Sequence, residues 1–289
     1  MNKAYLCIDF KSFYASVECV ERGLNPYQVN LVVADSSRGK STICLAVSPH
    51  LKQLGVKNRC RLFEIPRHLH YIVAKPRMKL YMEYSANIYG LYLKYISADD
   101  IYVYSIDEAF FDVTQYLRFY NKNAKELAQM LIDEVYQKTG IPATAGVGTN
   151  LYLAKVALDI TAKHNQSHIA YLDEELYQKT LWNHTQLTDF WQIGKGIEKR
   201  LHKHGLMTMQ DVAMCPQDIL YKEFGVNARF LIQHAWGKEP ATLQQIKSYQ
   251  PRHRSISNGQ VLFGDYDFHD GLLVLKEMVE DNALELVEQ

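Results

Sequence analysis

The run Tyr104-Ser105-Ile106-Asp107-Glu108-Ala109-Phe110-Phe111-Asp112 sets two adjacent carboxylates, Asp107 and Glu108, inside a stretch that is otherwise apolar and strand-prone. An unpaired charge there is expensive, so a fold that keeps both acids must bring a cation to them, and a metal ion is one such partner. Far upstream a second apolar run, Tyr5-Leu6-Cys7-Ile8, ends on Asp9 and passes into Phe10-Lys11-Ser12-Phe13-Tyr14-Ala15-Ser16-Val17-Glu18. That is the pattern of a strand delivering an acid to its tip, followed by a helix. Three carboxylates at two strand ends point to a divalent-cation site. All-oxygen ligands suit magnesium, and with it phosphoryl or nucleotidyl transfer, better than zinc chemistry. An Asp at a strand end also serves as a turn or N-cap residue, which for Asp9 taken alone is the simpler account. For Asp107 and Glu108 together it is not, because neighbours in a regular strand point to opposite faces and one would be buried without a partner. A turn or bulge between them would let both face one ion cluster.

The chain has 289 residues, 47% of them hydrophobic, enough to bury a substantial core in a globular protein of about two domains. Lys plus Arg and Asp plus Glu both number 32, so there is no global basic field and any contact with nucleic acid must rest on local patches. Five cysteines without a C-x-x-C pair argue against a disulfide framework and a zinc knuckle. Most of them read as reduced core thiols of a cytosolic protein. Asp9 interrupts the only apolar run near the N-terminus, and no stretch is long enough to span a bilayer. The expectation is a soluble cytoplasmic protein without a membrane partner.

Periodicity predicts strands over 4–9, 30–34, 42–46, 101–106, 109–113 and 143–148, with a turn at 35–40 and an acidic turn before 109. It predicts helices over 12–22, 48–54, 78–95, 124–139 and 150–163, the fourth of them stopping at Gly140 with Pro142 beyond. This alternation fits an α+β domain built on one antiparallel sheet; a doubly wound parallel sheet is the second choice. From residue 171 the pattern turns all-helical. The segment Phe190-Trp191-Gln192-Ile193-Gly194-Lys195-Gly196-Ile197-Glu198-Lys199-Arg200-Leu201 has the layout of a helix-hairpin-helix, whose small residues let backbone amides approach a phosphate. Lys195, Lys199, Arg200 and Lys203 surround it, and a tight helix–helix turn with a solvated basic face has the same look. Residues 241–251 read as a linker, 252–263 as basic and then strand-like, and 271–287 as a helix carrying Glu277, Glu280, Asp281 and Glu285.

Ile8-Asp9-Phe10-x-x-Phe13-Tyr14-Ala15-x-Val17-Glu18 and Ser105-Ile106-Asp107-Glu108-Ala109-Phe110 resemble the two catalytic motifs of the Y-family, or translesion, DNA polymerases. Leu45-Ala46-Val47-Ser48-Pro49-His50-Leu51-Lys52-Gln53-Leu54-Gly55-Val56-Lys57 resembles the fingers segment of that family, closest to its UmuC-like branch. The resemblance implies a ferredoxin-like antiparallel palm sheet (1–24 and 78–170), a small fingers insertion (25–77), an all-helical thumb with the helix-hairpin-helix (171–240), a linker (241–250) and a partial C-terminal little finger (251–289). It implies low-fidelity, template-directed nucleotidyl transfer in damage tolerance by two magnesium ions, with manganese as a substitute, on primer-template DNA and deoxynucleoside triphosphates. Asp9, Asp107 and Glu108 would be the side-chain ligands and Phe10 a carbonyl ligand, while Asp112 reads as structural.

By the same resemblance Lys52 and Lys163 would contact the triphosphate, the latter after a one-residue shift relative to some relatives. Each also reads as an ordinary surface charge. Phe13 and Tyr14 would lie at the nucleotide, with Tyr14 as the steric gate against a ribose hydroxyl; core packing of a helix aromatic is the competing account. Pro49 stands where many members carry Tyr, and the small Ala46 and Ser48 would leave an open site tolerant of damaged bases. Gly194, Lys195, Gly196 and Lys199 would hold DNA. Gln260-Val261-Leu262-Phe263 is faintly similar to a peptide that binds a sliding clamp, although a buried strand accounts for it as well. Two other functional classes stand beside this one: a nucleotidyl cyclase-like phosphotransferase that binds no DNA, and a regulatory homologue that binds DNA without catalysis.

Overall fold

The computed structural model describes residues 3–251, 253–262 and 264–288. The protein is assembled around β1 (Tyr5–Phe10), in which Tyr5 and Cys7 pack into one core and Leu6, Ile8 and Phe10 into another. This is the two-residue alternation of a strand buried on both faces. The chain turns at Ser12, whose backbone is left-handed, into α1 (Phe13–Val20). It then leaves the main sheet for an insertion made of β2 (Leu31–Val33), β3 (Ala46–Val47), α2 (Pro49–Gln53) and β4 (Ile72–Ala74). These strands form a sheet of order β3-β2-β4, antiparallel between β2 and β3 and parallel between β2 and β4, with its own small core of Val32, Ala34, Cys44, Val47, Leu51 and Val56.

The chain returns through α3 (Met78–Tyr92), β5 (Ile101–Val103), β6 (Glu108–Asp112), α4 (Tyr116–Tyr120), α5 (Ala124–Thr139), β7 (Ala143–Gly148), α6 (Leu151–Val156) and β8 (Ile169–Leu172). The main sheet has the order β5-β6-β1-β7-β8. β1 is antiparallel to β6 and β7, and β5 to β6, so β1, β5, β6 and β7 give the ferredoxin-like βαββαβ arrangement with α3 and α5 as crossovers. On one face lie α1, α3 and α5. On the other, α6 and the helices α7 (Glu174–Leu181), α8 (Lys195–Lys203), α9 (Met209–Met214), α10 (Gln217–Phe224) and α11 (Ala228–Ala235) share one continuous core with Tyr5, Cys7 and Phe110 of the sheet.

The expected antiparallel sheet is therefore mixed. β8 pairs parallel to β7 after a βαβ crossover through α6, a four-residue edge strand too short to signal itself among the turn residues before it. The doubly wound alternative fails, since this is the one parallel pair of the main sheet. In the insertion, the strand expected over 42–46 is reduced to Ala46–Val47 and an isolated bridge between Ile43 and Arg61, and β4 was not foreseen. The strand expected to Ile106 stops at Val103, where Tyr104 and Ser105 both donate their amides to the Glu108 carbonyl at 2.9 and 3.1 Å and make the turn.

The segment expected as a linker over 241–250 contains a short helix. Thr242 and Gln245 cap each other, side chain to backbone in both directions (3.0 and 3.3 Å), and start α12 (Leu243–Ser248). Leu243 enters the core that α6–α11 share with Tyr5, Cys7 and Phe110, and Lys247 donates to the carbonyls of Ala98 and Asp99. The chain divides into a larger unit ending at Lys247 and a smaller one beginning at Ser248. Within the smaller unit the strand expected over 252–263 is absent from the described residues 253–262, and Arg252 and Phe263 lie outside them. Val261 and Leu262 are exposed rather than part of a buried strand, and no strand is assigned in this unit among the described residues. The expected final helix is present as α13 (Phe268–Glu288), begun by Asp267, whose carboxylate accepts from the Asp270 amide at 2.9 Å. No described helix is long and apolar enough to cross a membrane. All five cysteines are free thiols.

Candidate metal and nucleotide site

Antiparallel pairing sets Asp9 directly opposite Glu108, and the Phe10 amide donates to the Asp107 carbonyl at 3.0 Å. The two acidic strand ends are thus locked side by side. Asp107 sits in the turn before β6, its carboxylate accepting from the Ser105 hydroxyl at 2.7 Å. Asp9 and Asp107 open on a cavity of about 890 Å³ that is also lined by Phe10, Lys11, Phe13, Tyr14, Pro49, Lys52, Arg59, Lys163 and His168. Burial pushes the Asp9 carboxyl up to about 6; Lys163 pulls against this, and Asp107 and Glu108 add to it. Such a carboxyl gains by meeting a cation.

Glu108 behaves differently from its neighbour. It is 8% exposed and is not among the residues that line the cavity, both oxygens lying 2.7 and 2.8 Å from Lys155 Nζ, with the Cys7 thiol donating at 3.1 Å. Among the described residues no three His, Cys, Asp or Glu side chains stand together as a ready metal cluster. The donor set nevertheless fits a hard divalent ion. Asp9 and Asp107 offer carboxylate oxygens to one cavity that can also admit phosphates, which is the minimum protein contribution that magnesium requires.

The cations predicted for the triphosphate, Lys52 and Lys163, both reach this cavity. Lys163 Nζ lies 3.3 Å from Asp9 and 2.8 Å from Asp159; burial works against its charge and the two carboxylates outweigh it, raising its pKa. Burial lowers the pKa of Lys52, with Asp9 opposing. The segment expected to be one helix over 150–163 is α6 followed by a π-helical turn, Ala157–Thr161, and a 3₁₀ turn, Ala162–His164.

Tyr14 lines the cavity with its ring stacked on Tyr81 at 4.5 Å, and the Tyr81 hydroxyl donates to Glu18 at 2.8 Å. Phe13 touches the cavity but is 3% exposed and belongs to the core that holds Leu6, Ile8 and Phe10, its ring against Phe10. Asp112 takes a local role, accepting from the Thr114 amide at 3.0 Å. The expected helix-hairpin-helix has a 3₁₀ turn, Leu187–Asp189, in place of a full first helix; Gln192, not a glycine, takes the left-handed backbone, and Gly194 caps α8. A Cβ at Gly194 or Gly196 would meet open space, so nothing in the fold itself demands glycine there. Of the basic residues, Arg200 is already paired with Glu223 at 2.7 Å and laid over Phe224.

Sequence reasoning missed Lys11, which lines the cavity 2.8 Å from His168 and whose pKa burial, aided by Lys52, brings down to about 8. It also missed Lys155, Asp159 and Cys7. A lysine in the apolar helix run Leu153-Ala154-Lys155-Val156-Ala157 was the available signal, since a buried lysine implies a buried acid.

A sequence model described as the impB/mucB/samB family matches residues 8–159. UvrX of Bacillus subtilis (strain 168), whose name assigns it to UV-damage repair, is 34% identical over 98% of this chain and 66% of its own length. DNA polymerase IV 2 of the same strain is 30% identical over 97% of this chain and 67% of its own. The chain thus spans about two thirds of the length of these relatives. Among solved structures, DinB from Sulfolobus solfataricus superposes with a TM-score of 0.64 at 27% identity, covering 86% of this chain and 68% of that one. An insertion ternary complex of Dbh DNA polymerase gives 0.67 at 28% identity over 86% of this chain and 69% of that one. The family match takes in both acidic strand ends and α6, and the solved structures it resembles are polymerases of the same kind, so the chain belongs to the impB/mucB/samB family, the Y-family DNA polymerases.

Proposed function

We propose that the chain carries out template-directed DNA synthesis past damaged bases. The observation that carries this reading is the shared cavity: Asp9 and Asp107 at one wall, Lys11, Lys52 and Lys163 around them, and Tyr14 beside them. In this reading residues 1–24 and 78–170 are the palm and 25–77 the fingers, the thumb runs from 171 through α12 to Lys247, and the smaller unit corresponds to the start of the little finger. Asp9, Asp107 and the Phe10 carbonyl hold the divalent ions, with Glu108 joining them. Magnesium, or manganese in its place, supplies charge neutralisation at the triphosphate and at the attacking primer 3′-oxygen.

The protein's own part is to bind and orient. The three lysines grip the triphosphate, which needs cations beyond the metal because the carboxylates alone would repel it. The Tyr14 ring, backed by Tyr81, crowds the sugar at its 2′-carbon and discriminates by contact against a ribose. Leu45, Ala46 and Pro49 line part of the fingers side of the cavity with small or apolar groups, so a distorted base placed against them meets little resistance. Gly194, Lys195, Gly196 and Lys199 hold the DNA backbone at the start of α8.

Primer extension on undamaged and lesion-bearing templates tests this. Extension with magnesium should be abolished by chelator and by Asp107→Asn, while primer-template affinity stays near wild type. An Asp107→Asn chain that keeps about a tenth of the normal rate or more would remove Asp107 from its role, because losing an ion ligand costs several kcal/mol of transition-state stabilisation. Cyclic nucleotide made from a triphosphate without DNA would move the reading to a cyclase, and DNA binding without extension would move it to a regulator.

A further inference from the structure

Glu108 is held by a charge inside the protein. Lys155 binds it at 2.7 Å and also reaches Asp159, one turn further on, at 3.0 Å; Asp159 accepts from Lys163 at 2.8 Å, and Lys163 contacts Asp9 at 3.3 Å. Glu108, Lys155, Asp159, Lys163 and Asp9 therefore form a chain of alternating charge that ends at the cavity, which Lys163 and Asp9 line. Lys155 and Glu108 are each 8% exposed at the side chain, so neither charge is left to solvent. Breaking one partner out of a buried pair normally strands the other at high cost. Here it does not, because Asp159 remains as a second partner for Lys155. Glu108 can leave its lysine without leaving an unpaired ammonium behind.

We propose that Lys155 is a positioning residue that stands in for a metal ion: it holds Glu108 in the ion-free protein, and an arriving divalent cation must take Glu108 from it. Lys155 thereby sets the affinity of the site for its ions. This rests on the polymerase reading only in taking Asp9, Asp107 and Glu108 as the ligand set. The arrangement gives Glu108 a cation of the protein's own, while Asp9 and Asp107 line the cavity. Its local cause is α6, which presses onto β7 where Gly146 and Gly148 leave no side chain in the way and so carries Lys155 to within reach of Glu108.

The test is Mn²⁺ binding to the ion-free full chain, without DNA or nucleotide, followed by the electron paramagnetic resonance signal of free Mn²⁺. Lys155→Met should bind about tenfold more tightly than wild type, and the gain should vanish when Glu108→Gln is present in the same chain, a coupling of ordinary size for groups in contact. Lys155→Arg should keep near wild-type affinity. If Lys155→Met fails to fold, Asp159→Asn reads the same lock from its other side: Mn²⁺ binding should weaken, and again only while Glu108 is intact. Equal affinity in Lys155→Met and wild type would overturn the proposal, as would a gain that persists undiminished with Glu108→Gln, because that is a general field effect. A wild type that extends primers but shows no coupling sinks the lock alone. One that shows the coupling but extends no primer sinks the polymerase reading alone.

Discussion

Glu18 shows how a single side chain can brace a site it does not touch. It has no exposed surface, and its carboxylate accepts from Arg77 Nε and Nη2 and from the Tyr81 hydroxyl, each at 2.8 Å, as well as from Arg22. Since the Tyr81 ring stacks on Tyr14, the acid fixes the aromatic that backs Tyr14 at the cavity. Burial pushes the Glu18 pKa up, and Arg77, Arg22 and Tyr81 outweigh it, so the net shift is downward. A carboxyl whose pKa is lower folded than unfolded stabilises the fold above its unfolded value, about 4.3, and loses that contribution as pH falls through the folded value. Glu18→Gln should therefore destabilise the protein at pH 7 by about 2 kcal/mol, the scale of losing charge-assisted bonds at a buried acid, reduced because both arginines are partly solvated. Denaturant titrations from pH 7 to pH 3 check this: the gap to wild type should close below about pH 4. A gap that stays constant with pH would mean that shape, not charge, is what Glu18 supplies.

Elements whose ends carry their own chemistry were legible in the sequence. Helix α5 lies over 124–139 as expected, because Asn123 and Glu126 form a capping box at its start and Gly140, at φ 70, ends it. β1, β6 and β7 were readable from continuous apolar runs, and with them came the placing of Asp9 and Asp107. What stayed hidden depends on contacts between distant segments: β4 and β8 are three and four residues long and exist only as edges of sheets already formed. The turning of Glu108 toward Lys155 was hidden for the same reason. It follows from the closeness of α6 to β7, where a Cβ added to Gly148 would lie 2.3 Å from the Ala154 amide nitrogen, and one on Gly146 2.0 Å from the Ala154 carbonyl oxygen. Because those are backbone atoms, the helix itself must move. Gly148→Ala should cost about 3 kcal/mol in unfolding experiments, at the upper end for overpacking. Gly196→Ala, which meets open space within α8, should leave stability unchanged or slightly raised, as alanine generally does for glycine in a helix. Equal effects of the two substitutions would refute the account of α6 resting on bare backbone.

At the scale of the whole molecule, 32 basic and 32 acidic residues leave no net charge to draw DNA from a distance. Attraction has to come from local geometry, and the basic residues differ in how far they are free to supply it. Arg200 is tied to Glu223, Lys155 to Glu108, and Arg77 to Glu18. Lys195 and Lys199, on the first turns of α8, have no ion pair among the described residues, and the positive end of the helix adds to their field. DNA affinity measured across a salt series should therefore fall steeply, since each neutralised phosphate releases counterions and contributes roughly 0.9 to the slope of log affinity against log salt. Replacing Lys195 and Lys199 together by Ala should flatten that slope by about 1 to 2, and should weaken binding to all sequences alike because backbone contacts carry no base readout. A double variant with the wild-type slope would show that the DNA lies elsewhere on the protein, and that the start of α8 is no more than a solvated helix end.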